Sequence, residues 1–383
     1  MQGFFSSLLG PVVANEITGA NGFVFANMTQ FNNAQDMAGF LSDLDWRSGN
    51  VTTAAAILND IAPTGYAAML AIDTGAGFEN QVNKHLLDNR GAGAQGDPLV
   101  GAFFQAYGLN QRVNSTDVAN GIAGDTAGLA AGLDFQLTDS VTLGGAMGWS
   151  NTSLNGNHEF GGSMTAIQAG IYSTITMGQF YLDATVWENF VHGSTNRAEP
   201  MIDRSFNSSY RDDEFRADAE LGYRFNFLDT FIDNLGVTPY VGFSYRGVDL
   251  GNFTETAAAV SSQEVPDGAL GVNVKTLAHD IMQPFLGVTA DGLYRISPMV
   301  VMRPMVGVGV RFGSPANSIL AEFQGGGDPF IVKGPQSNSA MFVPEAGLEF
   351  KIGPTYSLSF SYRGEFGSQY SQQGGWLTLR GNW

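Results

Sequence analysis

The sequence predicts an all-β transmembrane barrel of twelve antiparallel strands, with an N-terminal α-helical segment plugging the lumen. Three observations carry that expectation: long stretches with a two-residue period, a greasy row on each stretch almost free of charge, and an alternation of short and long connections. The run YSLSFSYRGEF, Tyr356 to Phe366, shows the first two. Tyr356, Leu358, Phe360, Tyr362, Gly364 and Phe366 share one face, and Ser357, Ser359, Ser361, Arg363 and Glu365 the other, because successive strand side chains point to opposite faces. A soluble sandwich would bury the first row; a membrane barrel turns it to lipid and the second row to a lumen.

Composition favours the barrel. Only 14% of the 383 residues are charged, with 50 Gly and 28 Phe, whereas an average soluble domain carries roughly 25% charged residues. The net charge of −18, with Lys and Arg totalling 18, argues against a nucleic-acid partner, which needs a basic footprint. The chain has no Cys, so neither a disulfide framework nor thiolate metal ligation is available. His85, His158, His192 and His279 have no partner one helical turn away, so no metal or other cofactor is expected. No uninterrupted apolar run of about 18 residues exists, which excludes a transmembrane helix. Met1 to Ala14 is apolar and ends in Val12-Val13-Ala14. It lacks the basic start of a secretory signal, so a remnant or truncated start is expected.

In chain order, Asn33 to Arg90 reads as helical: NAQDMAGFLSDLD, VTTAAAILNDIA and GYAAMLAI, with Thr52 or Thr53 and Thr64 as N-caps. The last helix, Phe78 to Arg90 (FENQVNKHLLDNR), has sparse apolar residues and wants a polar environment. Gly91 to Pro98 follows as a joint; its GAGAQG lies after a helix and before a strand, the reverse of a dinucleotide-binding turn. From Leu99 the period is two. Outward rows are Ala127, Leu129, Ala131, Leu133, Phe135 and Leu137; Val141, Leu143, Met147 and Trp149; and Phe215, Ala217, Ala219, Leu221, Tyr223 and Phe225. Val306, Val308, Val310 and Phe312 continue the pattern, and Glu188 and Asp249 break it, near strand ends. A lipid-facing Arg at mid-bilayer costs about 2–4 kcal/mol, enough to keep charge off such rows.

Tight connections at Thr138 to Ser140, Thr176 to Gln179, Arg295 to Pro298 and Ile352 to Thr355 alternate with long polar ones at Val191 to Asp213, Asn252 to Asp280 and Gly313 to Ser339. Short periplasmic turns and long outer loops are the habit of outer-membrane barrels. Twelve strands imply a backbone diameter of roughly 24 Å. That leaves a lumen near the width of one α-helix, about 10–12 Å.

The chain resembles the translocator domain of the classical autotransporters, the type V secretion proteins of Gram-negative bacteria. The carriers are AAAILNDIAPTGYAAML and FENQVNKHLLDNR ahead of the barrel, then LAAGLDFQLTDSVTLGGAMGWS, ADAELGYRF, VTPYVGFSYRGVDLGNFTE, LSFSYRGEFGS and LTLRGNW. The resemblance implies an outer-membrane barrel that exports and anchors an N-terminal passenger and keeps a helix in its pore. It divides the chain into a passenger remnant or short helical region (residues 1–77), a pore helix and linker (78–97) and the barrel (98–383). Leu377, Leu379 and the terminal Trp383 resemble the signal read by the barrel-assembly machinery, with Gly381 departing from it. Outer-membrane lipid and lipopolysaccharide complete the expected partners.

The expected lumen residues are Arg216, Asp218, Glu220, Arg224, Glu345, Glu349, Arg363 and Glu365, and the plug residues Lys84, His85 and Arg90 are expected to face Glu345, Glu349 and Glu365. Mixed lumen charges read as ion pairs, so no enzyme is expected. One subfamily cuts its own chain between two Asn in the pore, which would align with Asn80 and Gln81 here; the Gln departs from that pattern. The alternatives are a stand-alone pore or surface-array barrel gated by its N-terminal helices, and a barrel-embedded enzyme.

Overall fold

The computed structural model describes residues 63–90 and 100–383, apart from residues 117–118, 157–159, 200–203, 228–232, 260–267, 269, 276–277, 314–317, 325–328 and 336–339. The helices expected within Asn33 to Ala62, with Thr52 and Thr53, and the joint at Gly91 to Pro98 lie outside the described residues.

Among the described residues two helices precede the sheet: α1 (Thr64–Met69) and α2 (Ala76–Arg90). Twelve staves follow: β1 (Val100–Val113), β2 (Ile122–Thr138), β3 (Val141–Gly156), β4 (Phe160–Met177), β5 (Phe180–Glu199), β6 (Arg204–Tyr223), β8 (Asp233–Leu250), β12 (His279–Ser297), β13 (Val300–Phe312), β16 (Ala340–Ile352), β17 (Tyr356–Phe366) and β18 (Tyr370–Asn382). A short β7 (Phe225–Phe227) continues β6 along β8 beyond a break at Arg224. Each stave pairs antiparallel with the next, and β1 closes on β18 from Gly101↔Asn382 to Val113↔Tyr370. The last residue completes the seam: the Trp383 N–H donates to Val100 O at 2.8 Å and the Val100 N–H to Trp383 O at 3.0 Å.

The alternation sorts the side chains as expected. Leu133 (51% exposed), Val306 (61%) and Phe360 (49%) stand on the outside, whereas Ser150, Gln168 and Asn189 are fully enclosed. The tight turns lie at the end that carries Val100 and Trp383, and the long connections at the other.

Three expectations need correction. Thr64 is the first helical residue of α1, not its cap: Pro63 holds that position, and Thr64 Oγ1 accepts a hydrogen bond from the Asn120 N–H at 3.3 Å. Helix α2 starts two residues before Phe78, on the Asp73–Gly75 turn that precedes it. Val191 to Asp213 is mostly strand, because β5 and β6, each of 20 residues, run on past the lipid band. There the pattern inverts. Val191, Phe206 and Tyr210 are buried inside, while Ser194, Asn196, Asn207 and Ser209 face out, so the stretch reads as a polar loop. For the same reason Glu188 falls in the middle of β5 and not near its end.

The other long connections are also built. They hold β9 (Phe253–Thr254), β10 (Thr256–Ala259), β11 (Val272–Lys275), β14 (Ser318–Phe323) and β15 (Phe330–Lys333). Strand β10 adds to β6, and the rest form a second sheet in the order β15-β14-β11-β9. A single arginine tests the orientation. Val306→Arg should lower unfolding stability in lipid by about 2–4 kcal/mol, measured by urea titration; no loss would mean that this face does not meet hydrocarbon.

Candidate functional site

The lumen is occupied by the chain's own residues 63–90. Helix α2 has Phe78, Val82 and Leu86 at four-residue spacing, and these pack on Phe103, Ala130, Ala146, Tyr172 and Trp187 of β1–β5. Phe78 and Trp187 meet nearly edge-on at 5.3 Å between ring centroids. The fit needs glycine at the contact: a Cβ on Gly77 would lie 2.1 Å from the Tyr107 ring. The Gly77 carbonyl accepts a hydrogen bond from Trp376 Nε1 at 3.0 Å. The opposite side of the helix, with Asn80, Asn83 and Lys84, borders a cavity of about 70 Å3 lined also by Glu220, Glu345 and Arg363.

Polar groups hold the turn between the helices. Gln111 donates to Asp73 O at 2.8 Å and accepts from the Asp73 N–H at 2.9 Å. Asn189 donates to Thr74 Oγ1 at 2.8 Å, and Ser150 to Thr74 O at 3.3 Å.

At mid-barrel two arginines, Arg216 and Arg311, bond two acidic residues of the plug, and a third, Arg246, joins them through Glu214 of the wall. Arg216 binds Asp73 through both terminal nitrogens, Nη1 at 2.7 Å, and reaches Glu79 at 2.9 Å and Glu214 at 2.9 Å. Arg311 Nη2 donates to Glu79 at 3.0 Å, and Arg246 pairs with Glu214. The Arg216 guanidinium also stacks on Trp187 at 4.7 Å. Inside a protein such charges are tolerable only when each is paired and hydrogen-bonded.

All the expected barrel residues face inward, but they mostly pair with one another. Asp218 accepts from Thr185 at 2.9 Å and Glu220 from Tyr181 at 2.7 Å. Arg224 and Arg303 share Asp291, and Glu349 lies 3.7 Å from Arg303. Arg363 pairs with Glu345 and with Glu365 at 3.3 Å, and Arg311 stands 3.5 Å from Glu365. The expected pairing of the plug with Glu345, Glu349 and Glu365 is therefore corrected for His85. Barrel arginines match those carboxylates, and His85 instead lies 2.7 Å from Asp134 on β2. Lys84 does share the cavity with Glu345, and the Arg90 side chain lies outside the described residues. The plug's main handles are acidic, the reverse of the expected sign. Glu79 stood in the quoted helix, and Asp134 falls between the outward Leu133 and Phe135; both were readable by position.

Above the turn, α1 lies under the outer sheet. Tyr66 donates to Glu255 Oε1 at 2.9 Å and accepts from Thr195 at 3.1 Å. The Glu255 carboxylate also takes a bidentate pair from Arg197, at 3.0 and 2.7 Å, and the Val272 N–H at 2.8 Å. Burial, with the Glu255 charge beside it, pushes the Tyr66 phenol above its ordinary value and keeps it a donor.

A closed twelve-stave barrel, lipid-facing outside and occupied by a helix of its own chain, is an outer-membrane translocator of the autotransporter kind. The autotransporter beta-domain family model matches residues 102–363, more than half of the chain, and the protein belongs to that family. It is accordingly a bacterial outer-membrane translocator for a passenger domain, and the family's barrels are transport barrels. Its fold is similar to the translocator domain of NalP from Neisseria meningitidis (TM-score 0.59, 15% identity, covering 82% of this chain and 99% of that one). It is similar also to the beta domain of BrkA from Bordetella (0.55, 16%, 74% and 100%) and the transport unit of AIDA-I from Escherichia coli (0.52, 12%, 78% and 97%). No curated protein matches the chain by sequence.

Arg216→Met leaves Asp73 without its partner in a buried site, a change that costs about 3–5 kcal/mol. The expected outcome is a plug that opens to protease between Pro63 and Arg90 while the barrel stays folded; an uncut plug would show that the arginine cluster does not hold it.

Proposed function

We propose that residues 63–90 are the trailing end of an exported chain, halted in the pore with the passenger joined on the N-terminal side of Pro63. One observation carries this reading: α2 has its C-terminal end toward the tight-turn rim, where β1 starts, and α1 lies at the long-loop rim. The chain thus runs through the wall in the direction that export requires. The boundary between passenger and plug then falls before Pro63, so that residues 63–77 belong with the pore helix.

In this reading Arg216 and Arg311 anchor the plug through Asp73 and Glu79, and His85 anchors its lower end on Asp134. The lumen charges serve binding and not catalysis. Asn80 and Gln81 act as plug amides: two carboxylates that share a cavity lining with Asn80, Glu220 and Glu345, are held by Tyr181 and Arg363. Leu377, Leu379 and Trp383 present a half-exposed outward row on the closing strand. We assign that row to recognition by the barrel-assembly machinery, and the outer apolar belt to contact with lipid and lipopolysaccharide.

An epitope inserted just before Pro63 should be reachable by antibody on intact cells and shaved by external protease. An epitope reached only after the outer membrane is permeabilised would contradict export through the barrel. On gels, Asn80→Ala should leave the product size unchanged; a change would identify cleavage at Asn80–Gln81. Trp383→Ser keeps the backbone bonds of the seam and removes only the terminal aromatic, so it should slow the appearance of heat-modifiable folded barrel by roughly severalfold; an unchanged rate would remove the assembly role.

A further inference from the structure

The helix does not fill the lumen. Two cavities, about 70 and 30 Å3, lie along the same side of α2 and share Asn80 and Arg311 in their linings. Polar groups stand in the walls of both, with Lys84, Glu345 and Arg363 at one and Asp73, Glu365 and Gln372 at the other. About 10–15 Å3 suffices for one water when polar partners are present, so this side of the plug is wet. The hydrated series ends at Ile281, Met341 and Tyr370, which line the second cavity and belong to a large apolar cluster at the outer rim.

That cluster has no counterpart in a simple tube. Residues Tyr66 to Ile72 enter it from the plug, Leu154, Phe206 and Tyr210 from the barrel extensions, and Val272, Ile319 and Val332 from the outer sheet. Tyr66 is its centre. It packs edge-on against Phe160 at 5.2 Å and against Phe253 at 5.0 Å. Its hydroxyl ties the plug to Glu255 and Arg197, both almost wholly buried. Tyr210 adds a contact to Met69 Sδ at 3.0 Å, and Gly334 lies against the Ala67–Ala68 backbone.

We propose that this outer cap, and not the pore helix, is the permeability seal of the translocator. The cap assembles on residues 63–72 of the chain in the pore and closes the outer mouth as a dry layer, while the helix below it leaves a hydrated side path. Ions and small polar solutes are stopped at the cap because an apolar constriction excludes the water that would carry them. The function stands on the barrel and its plug alone and would hold whatever passenger the chain carries.

The test is conductance of the full chain in planar bilayers. The cap is opened by Tyr66→Ala, and separately by replacing residues 318–333, which carry β14 and β15, with a short Gly-Ser linker. Both variants should conduct roughly tenfold or more above the intact chain, whose dry layer blocks the path. Adding Asn80→Trp, which fills the hydrated side from the helix, should bring the current back toward the intact level. Two results would overturn the proposal. Cap variants as silent as the intact chain would show that the helix seals the pore alone. A raised current that Asn80→Trp does not reduce would place the leak outside the side path, as when the whole plug has left.

Discussion

Everything in this molecule follows from the need to pair every backbone N–H and C=O inside hydrocarbon, where no water can substitute. An open sheet would leave two unpaired edges in lipid. Closure of β1 on β18 removes them, and the mutual hydrogen bonds of Val100 and Trp383 extend the pairing to the final residue. Closure with twelve staves then fixes the width of the tube, and the width admits one helix. The choice of outside and inside for each residue follows from the same pleat.

A lumen of this width poses a second problem, because charged side chains from opposite walls are brought within reach of each other and of the plug. The barrel answers it locally, with acid and base on neighbouring strands, as in Arg363 with Glu345 and Arg303 with Asp291. Arg216 and Arg311 are turned to the plug, where Asp73 and Glu79 meet them. The plug is therefore held by a few strong contacts on an otherwise self-satisfied wall. That suits a segment that must first pass through and then stop. Its two sides differ: one packs dry on β1–β5, and the other stays wet.

The staves and their facing were legible in the sequence because the lipid face tolerates little charge, so the outward rows read as nearly unbroken series, Glu188 of β5 apart. Leu129, Leu133 and Phe135 or Phe215 and Leu221 needed no structure to be placed. Partners across the lumen were not legible. Parity shows that Arg216 points inward, but not that it meets Asp73, since the helix could have taken several rotations and heights. Counting only the basic residues of the helix also hid Glu79, whose charge is the one the wall answers. The outer cap was hidden for another reason: beyond the lipid band the inside becomes apolar and the outside polar, so Phe206 and Tyr210 sit in what reads as a loop. Thr64 misled as a cap because Pro63 takes that position and Thr64 is the first helical residue.

The central claim is that the apolar rows touch hydrocarbon while the plug and its arginines occupy a polar interior. Spin labels on the chain in bilayers, placed singly at positions 221, 306 and 360, test it directly through collisional relaxation. Relaxation by membrane-dissolved oxygen and not by aqueous nickel reagent is the predicted result. Relaxation by nickel at these three positions would mean the sheet is built the other way round, and the account would be wrong.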